Sequence, residues 1–312
     1  MRYNKPHSQS TLVLGAGELG MSVLRSLAAV AEPGTIAVLL RPYSGKPFDN
    51  SKQKTIDELH FLGVSLVEGD LATLSAATLA ELLSPYDTVV SCTGFVGGRG
   101  TQRKILEAAL LAEIRRFVPW QFGVDYDVIG RGSAQDLFDE QLDVRDLLRS
   151  QTRMQWLIVS TGMFTSFLFE PAFGVFDLEH GIVHGLGSWD NAVTLTTAED
   201  IGRLTVKVLT AKPSINNQVV FVAGDTLTYG QAADIVEQTL GKHLKRELWT
   251  VPQLQAQLTD DPDNGMAKYQ VVFAEGRGVS WPVRGTFNQE NRESTTDLRR
   301  WLIDQLAPRQ MP

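Results

Sequence analysis

Short apolar runs alternate with longer amphipathic patterns through the N-terminal half of the chain. The apolar runs predict six strands: Thr11 to Leu14, Thr35 to Arg41, Val64 to Val67, Asp87 to Cys92, Arg115 to Pro119 and Gln155 to Ser160. Helical spacing predicts five helices between them: Leu19 to Ala31, Ser51 to Leu62, Ser75 to Leu83, Thr101 to Ala112 and Ala134 to Ser150. Strands this continuously apolar are typical of a sheet covered on both faces. The pattern therefore predicts an α/β fold, a Rossmann-type doubly wound parallel sheet.

The regular alternation fades after Ser160. The weaker patterns that follow are a Phe-rich segment, one strand and three helices: Met163 to Phe176, Val219 to Val222, Tyr229 to Leu240, Pro252 to Leu258 and Ser294 to Gln305. The last two helical patterns enclose a loop-rich stretch with several glycines. We therefore predict a Rossmann domain over residues 1–160. Residues 161–312 are predicted to form mainly a smaller C-terminal substrate lobe, with some elements returning to the Rossmann sheet.

The composition is that of an ordinary globular protein. The 312 residues are 43% hydrophobic, which is enough for a core and excludes disordered and fibrous classes. The formal net charge of −7 gives no attraction to nucleic acid or anionic lipid, so a small molecule is the expected ligand. The polar N-terminus lacks the pattern of a secretory signal, and no apolar run approaches the ~18 residues needed to span a bilayer. We therefore expect a cytoplasmic protein without membrane contact.

The single cysteine, Cys92, has no partner in the chain for a disulfide. It ends an apolar run, where a buried thiol is favoured over a redox or catalytic one. His180 and His184 flank Gly181 in a predicted hairpin and are interpreted as turn residues. No spacing of His, Cys and Asp suggests a metal site. The candidate chemistry therefore lies in the glycine-rich turns.

A glycine-rich turn directly follows the first predicted strand and opens the first predicted helix. Its residues are Gly15, Ala16, Gly17, Glu18, Leu19 and Gly20, in the pattern G-x-G-x-x-G. In this pattern the first glycine makes the tight turn, the second admits a pyrophosphate to the backbone, and the third allows close contact between helix and strand. The anion then rests on the helix N-terminus. The turn therefore predicts a dinucleotide-binding site.

The end of the second strand indicates which dinucleotide is bound. An acidic residue there accepts hydrogen bonds from the ribose 2′-hydroxyl of NAD. This chain has Arg41 instead, whose guanidinium matches the charge and geometry of a 2′-phosphate. Lys52 follows nearby and adds positive charge, or else belongs to a solvated helix face. NADP(H) is therefore predicted over NAD(H).

A second glycine cluster, from Thr93 to Gly100, follows the fourth strand. Ligands of doubly wound sheets lie beyond the carboxyl ends of the strands, so this loop is expected to pass near the cofactor. The alternative is a surface loop without a ligand. On the first interpretation Thr93, Gly94 and Phe95 are cofactor-binding residues.

Several segments in order carry a resemblance to a known family: Gly15 to Gly20, Arg41, Gly63 to Leu71, Asp87 to Ser91, Gln102 with Ile105 and Ala108, and Arg116 to Asp125. The chain resembles the isoflavone-reductase-like and NmrA-like family of atypical short-chain dehydrogenases/reductases. The last segment is similar to the family pattern F-x-P-S-E-F-G-x-D, with Trp120 and Gln121 in place of Ser and Glu. The resemblance implies that Gln121 and Phe122 contact the cofactor, and it aligns Lys52 with a lysine that helps to bind the 2′-phosphate.

The chain departs from this family at the catalytic position. The resemblance implies a catalytic lysine on the helix that follows, but Gln141 occupies that position. The spacing of Gln141 from Phe138, Val144 and Leu148 places it on the inward face of the helix. It is then either a core glutamine bonded to backbone or a residue that faces the nicotinamide or the substrate. Glutamine donates a hydrogen bond to a developing oxyanion but delivers no proton at neutral pH. Tyr126, on the preceding loop, is the best-placed acid.

The Phe-rich segment supplies candidate substrate residues. Met163, Phe164 and Phe167 line an aromatic pocket or belong to plain core. The resemblance implies an NADPH-dependent reductase of a small aromatic or conjugated carbonyl-type substrate. The alternative is an NmrA-like regulator that senses NADP without turnover, which the missing lysine favours. A homodimer is compatible with the sequence, which fixes no oligomeric state.

Overall fold

The computed structural model describes residues 10–42, 50–95 and 97–305. Its strands are β1 (Thr11–Leu14), β2 (Ile36–Leu40), β3 (Ser65–Glu68), β4 (Thr88–Ser91), β5 (Arg116–Val118), β6 (Gln155–Ser160), β7 (Met163–Phe164), β8 (Phe176–Asp177), β9 (Ile182–Leu186), β10 (Ala192–Thr196), β11 (Gln218–Phe221), β12 (Asp225–Thr228) and β13 (Lys245–Trp249). Its helices are α1 (Glu18–Ala28), α2 (Asn50–Phe61), α3 (Ala76–Leu83), α4 (Thr101–Leu111), α5 (Tyr126–Ile129), α6 (Leu137–Ser150), α7 (Ala198–Leu209), α8 (Tyr229–Leu240), α9 (Val251–Asp260), α10 (Gly265–Glu275), α11 (Phe287–Glu290) and α12 (Leu298–Gln305).

The chain forms two compact units, each built from separate segments. The first comprises residues 1–120, 143–158 and 202–219, and the second comprises residues 121–142, 159–201 and 220–312. The sequence predicts one boundary at residue 160, with later elements returning to the sheet. The structure also assigns the earlier segment 121–142 to the second unit. Sequence patterning does not mark these changes, because both β6 and α6 continue unbroken where the assignment changes.

A seven-stranded sheet in the order β11-β6-β5-β4-β1-β2-β3 confirms the predicted fold class. The pairings from β3 through β6 are parallel, and all six predicted strands are present. Leu12 and Leu39 pack in one cluster with residues of α3 and α4, and the alternate residues Val13 and Val38 are equally buried. Because successive side chains of a strand point to opposite faces, both faces of the sheet are covered.

The first unit also contains α7 residues from later in the chain. A Cβ at Gly202 of α7 would lie 2.4 Å from the backbone carbon of Ser22 in α1, so the two backbones meet closely at a glycine. On the strand side, Arg116 at the start of β5 donates to the carbonyls of Leu209 and Ile215. These contacts secure residues 202–219 to the Rossmann sheet.

The second unit has two small sheets around one apolar core. Their strand orders are β12-β10-β7 and β13-β9-β8. The core takes buried side chains from α8 and α10 and from the aromatic segment around Phe173. Helix α8 begins with a reciprocal capping box between Thr228 and Gln231, and Asn264 caps α10 through the N–H groups of Met266 and Ala267.

Four α-helices of the described residues were not predicted: the four-residue helices α5 and α11, and the longer helices α7 and α10. The segment of α10 ends in the run Val271-Val272-Phe273-Ala274, which is buried on several sides and therefore lacks a single amphipathic face. Helix α7 does have helical spacing, with Ile201, Leu204 and Val208 buried, and its pattern was missed. Among the described residues, no helix is both long and apolar enough to cross a membrane.

Candidate functional site

The glycine-rich turn joins β1 to α1 with its first and third glycines closely packed. Gly15 has φ +93°, and a Cβ there would lie 2.8 Å from Cγ2 of Thr93. A Cβ at Gly20 would lie 2.1 Å from the carbonyl oxygen of Gly15. The Gly15 amide donates to the carbonyl of Leu39 in β2 at 3.1 Å. Both glycines are therefore required by the protein's own backbone and packing.

Gly17 differs, because nothing in the described residues of the first unit requires a glycine there. Its φ of −75° and ψ of −166° suit any residue, and an added Cβ would meet no atom of the described residues within 4 Å. Gly17 is also the N-cap of α1, and as a glycine it has no side chain to accept from the first amides of the helix. A glycine without a capping side chain at a helix N-terminus fits a bound pyrophosphate, which needs close backbone approach and supplies acceptors.

The carboxyl ends of β2 and β4 flank this turn, because β1 pairs in parallel with both strands. Arg41 follows the last residue of β2 and is exposed, and Lys52 lies in the first turn of α2 and is also exposed. After β4, the hydroxyl of Thr93 is buried with no hydrogen-bond partner in the described part of the chain. A buried hydroxyl beside Gly15 without a partner also fits a polar ligand at this edge.

The loop after β4 is held by two side chains that the sequence analysis did not assign. The Gln102 side-chain amide donates to the carbonyl of Gly94. Phe95 packs edge to face on Trp120, with ring centroids 4.8 Å apart and planes at 75°. One feature of the sequence points to the contact between Phe95 and Trp120: a tryptophan stands at a position where the family pattern has serine.

The second unit brings together two of the three positions at which the chain departs from the family pattern. Gln121 and Gln141 are both fully buried, and Nε2 of Gln121 donates to the carbonyl oxygen of Gln141 at 2.8 Å. The same nitrogen lies 3.5 Å from Oε1 of Gln141. The inward position predicted for Gln141 is confirmed, and its backbone takes part in an amide contact that joins the loop after β5 to α6.

Tyr126 begins α5 and is 3% exposed, with its ring edge-on to Phe138 at 4.9 Å. A Cβ at Gly123 would lie 2.8 Å from the Tyr126 hydroxyl oxygen, so the hydroxyl lies against this glycine. Asp125 fixes the loop, because its amide donates to the carbonyl of Gly278 at 2.8 Å. Phe122 is buried in the same loop.

The candidate substrate residues belong to an aromatic group in the second unit. Phe167 is half-buried and lies 4.7 Å from Phe173 and 5.7 Å from Tyr269, measured between ring centroids. Met163 is 3% exposed, and Phe164 is half-buried. Burial raises the pKa of Tyr269 to about 12, so its hydroxyl stays protonated at neutral pH. Tyr269 was not a sequence candidate, because α10 was not predicted.

The predicted burial of Cys92 and the predicted turn position of His180 are confirmed, but His184 lies within strand β9 and not in the turn. Cys92 is buried, and burial raises the pKa of its thiol far above neutrality. His180 pairs with Asp177 at 2.8 Å at the turn between β8 and β9. Nδ1 of His184 lies 2.7 Å from the carbonyl oxygen of Gly174, and the ring stacks on Trp249 at 3.8 Å. These contacts give each histidine a structural role.

A family model described as the NmrA-like family matches residues 7–301. The chain belongs to the NmrA-like family. A curated relative, the NmrA-like family domain-containing oxidoreductase of Gibberella moniliformis, is 43% identical over 300 residues, covering 95% of this chain and 98% of that protein. The match runs through both units. The predicted family resemblance is thus confirmed for this NmrA-like protein.

Solved structures share the fold of this NmrA-like protein. The crystal structure of an isoflavone reductase superposes with a TM-score of 0.79 at 19% identity, covering 95% of this chain and 99% of that chain. The structure of AtPrR2 with NADP+ and (+)pinoresinol gives a TM-score of 0.77 at 21% identity, covering 96% and 99%. At these identities the similarity establishes the fold.

Proposed function

We propose that this NmrA-like protein is an NADPH-dependent reductase of a small aromatic or conjugated carbonyl-type substrate. The observation that carries the proposal is Gly17, because in the described part of the chain neither its backbone angles nor its packing requires a glycine. A ligand that approaches the first amides of α1 accounts for this glycine. The name of the curated relative, an oxidoreductase, supports the same class of activity.

Each part of the cofactor has a proposed partner in the first unit. The turn from Gly15 to Gly20 holds the pyrophosphate. Arg41 and Lys52 bind the 2′-phosphate, which selects NADP(H) over NAD(H). Thr93, Gly94 and Phe95 lie along the other half of the dinucleotide. Gln121 and Phe122 are also proposed to contact the cofactor, by their match to the family pattern.

Bound NADPH would supply the hydride. The negative charge that develops on the substrate must then be stabilised, and one proton must be added. Reduction of a simple ketone usually needs a positioned acid, whose help is worth roughly 10²–10⁴ in rate. A conjugated carbonyl is less demanding, since hydride addition leaves a delocalised enolate or phenolate that a hydrogen bond stabilises. The proton that completes the product comes from water or from Tyr126.

We assign the hydrogen bond to the side-chain amide of Gln141. Gln141 is fully buried on the inward face of α6, and its Oε1 lies 3.5 Å from Nε2 of Gln121. Loss of one preorganised oxyanion donor costs roughly 10²–10³ in turnover. Met163, Phe164 and Phe167 are proposed to contact an aromatic substrate.

The test is NADPH consumption with a panel of enones, quinone methides and aromatic ketones. We expect turnover of a conjugated member, and a large loss of turnover number in Gln141→Leu. Tyr126→Phe distinguishes the two proton sources, because only a role for Tyr126 lowers its turnover. An unchanged turnover number in Gln141→Leu would remove that residue from the mechanism.

The second candidate is an NADP-sensing regulator, favoured by one observation. At the position that the resemblance assigns to the lysine, this chain has a neutral amide in contact with a second neutral amide. NADPH binding without consumption of any panel member would support this candidate and contradict the reductase.

A further inference from the structure

We infer that Phe95 and Trp120 form an aromatic wall for the nicotinamide end of the dinucleotide. The inference rests on the proposed function and deepens it. It assigns Trp120 to binding of the nicotinamide ring, while the turn from Gly15 to Gly20 holds the pyrophosphate.

The strand order decides which end of the cofactor lies here. A dinucleotide crosses a doubly wound sheet at the point where the strand order reverses, with one mononucleotide on each side. In this sheet the reversal falls between β1 and β4. Arg41, proposed for the 2′-phosphate of the adenine half, follows β2 on one side. Phe95 follows β4 and Trp120 follows β5 on the other side, which is therefore the nicotinamide side.

The wall is formed by the protein itself. Phe95 and Trp120 meet edge to face at 4.8 Å. A Cβ at Gly94 would lie 3.4 Å from the Trp120 indole, at ordinary van der Waals distance, so the loop backbone runs close to this ring. The side-chain amide of Gln102 also donates a hydrogen bond to the carbonyl oxygen of Gly94. The rings are therefore in place before any ligand arrives, which lowers the entropic cost of binding.

A second observation points to a ligand at the same strand end. The hydroxyls of Ser91 and Thr93 are buried, and neither has a hydrogen-bond partner in the described ranges of the chain. Phe95 and Trp120, one loop away, are only half-buried although both are large aromatic side chains. Apolar rings beside unpaired hydroxyls match the chemistry of a nicotinamide ribose, which has a flat aromatic ring and a polar sugar.

The experiment compares three ligands by calorimetry with the full-length protein: NADP+, NADPH and 2′-phospho-ADP-ribose, which lacks the nicotinamide. The variants are Trp120→Ser, Trp120→Phe and the control Trp156→Phe, whose ring lies in the core of the same unit. Ring stacking on an aromatic side chain is worth about tenfold in affinity. We expect Trp120→Ser to bind NADP+ and NADPH about tenfold more weakly and 2′-phospho-ADP-ribose as well as the unaltered protein does. Trp120→Phe should keep most of the affinity for NADP+ and NADPH. Trp156→Phe should not change the affinity for any one of the three ligands relative to the others.

The outcomes separate the inference from the function on which it rests. Equal weakening of all three ligands by Trp120→Ser would mean that the indole only supports the loop, and no weakening would mean that it is not part of the site. Either result overturns the inference while NADP(H) binding stands. Failure of the unaltered protein to bind any of the three would instead overturn the proposed function, and the inference with it.

Discussion

At the scale of single residues, Gly17 is the clearest test of cofactor binding. Its added Cβ meets no atom of residues 10–42, 50–95 and 97–305 within 4 Å, so valine fits the fold but fills the space in front of the α1 amides. We expect Gly17→Val to lose measurable NADPH binding by calorimetry while its thermal unfolding temperature stays the same.

Gly265 offers a matched control for this substitution. It also has an ordinary φ and open space around an added Cβ, but it lies at the start of α10, where no ligand is proposed. Gly265→Val should keep both stability and binding. Native-strength NADPH binding by Gly17→Val would show that the glycine-rich turn has been misinterpreted.

Arg41 tests which dinucleotide is bound. A charged hydrogen bond contributes about 1.5–3 kcal/mol, so Arg41→Asp should weaken NADP(H) binding by roughly 10–100-fold. The new carboxylate can accept from a ribose 2′-hydroxyl, and NAD(H) should become the preferred ligand. Titration with both cofactors measures the change.

The control for Arg41→Asp makes the same change of charge elsewhere in the first unit. Arg153 is exposed and precedes β6, at the amino ends of the strands. Arg153→Asp should leave the preference intact. Equal affinity of the unaltered protein for NADP(H) and NAD(H) would contradict the proposed role of Arg41 in binding the 2′-phosphate.

At the scale of elements, the loop after β5 and helix α6 are joined by Gln121 and Gln141. Both side chains are fully buried, so Gln141→Lys alone places an unpaired charge inside the protein. We expect the free energy of unfolding to fall by about 3 kcal/mol. Adding Gln121→Glu supplies the opposite charge at the contacting position, and part of the loss should return.

Urea denaturation of the two single variants and the double variant measures this coupling. Contacting residues typically couple by about 0.5–3 kcal/mol. The double variant should therefore lose less free energy of unfolding than the two single variants lose in sum. Simple additivity would mean that the charges introduced at the two positions do not interact.

At the scale of the whole molecule, the single cysteine reports opening of the first unit. Cys92 is buried, and burial raises the pKa of its thiol, so the reactive thiolate is scarce in the folded protein. A thiol reagent should label it only through unfolding or local opening. Bound NADPH should slow labelling further, because a ligand of the native state stabilises that state.

Labelling is followed by absorbance, with protein in denaturant as the control that reacts at once. NADPH should slow the labelling of Cys92 in Arg153→Asp as much as in the unaltered protein. It should not slow the labelling of Cys92 in Gly17→Val. Rapid labelling of the native protein would contradict the buried position of Cys92.

Much of the first unit could be predicted because its signals are local. The strands around Val13 and Val38 are apolar on both faces, and the turn from Gly15 to Gly20 has a fixed spacing between a strand and a helix. The contact of Gln121 with Gln141 could not be predicted, because the two residues are 20 positions apart and only the path of the chain brings them together. Trp120 was noticed as a departure from the family pattern, but its packing on Phe95 depends on two neighbouring strands.

By itself, the sequence determined the fold class, the family and the predicted preference for NADP(H), because periodicity, glycine spacing and the type of residue at a strand end act over short distances. Only the tertiary structure decided that residues 121–142 belong to the second unit and residues 202–219 to the first. It also separated Gly17, which the protein's own packing does not require, from Gly15 and Gly20, which it does. The physical reason is that packing joins atoms distant in the chain, and a sequence pattern records a glycine without recording what approaches it.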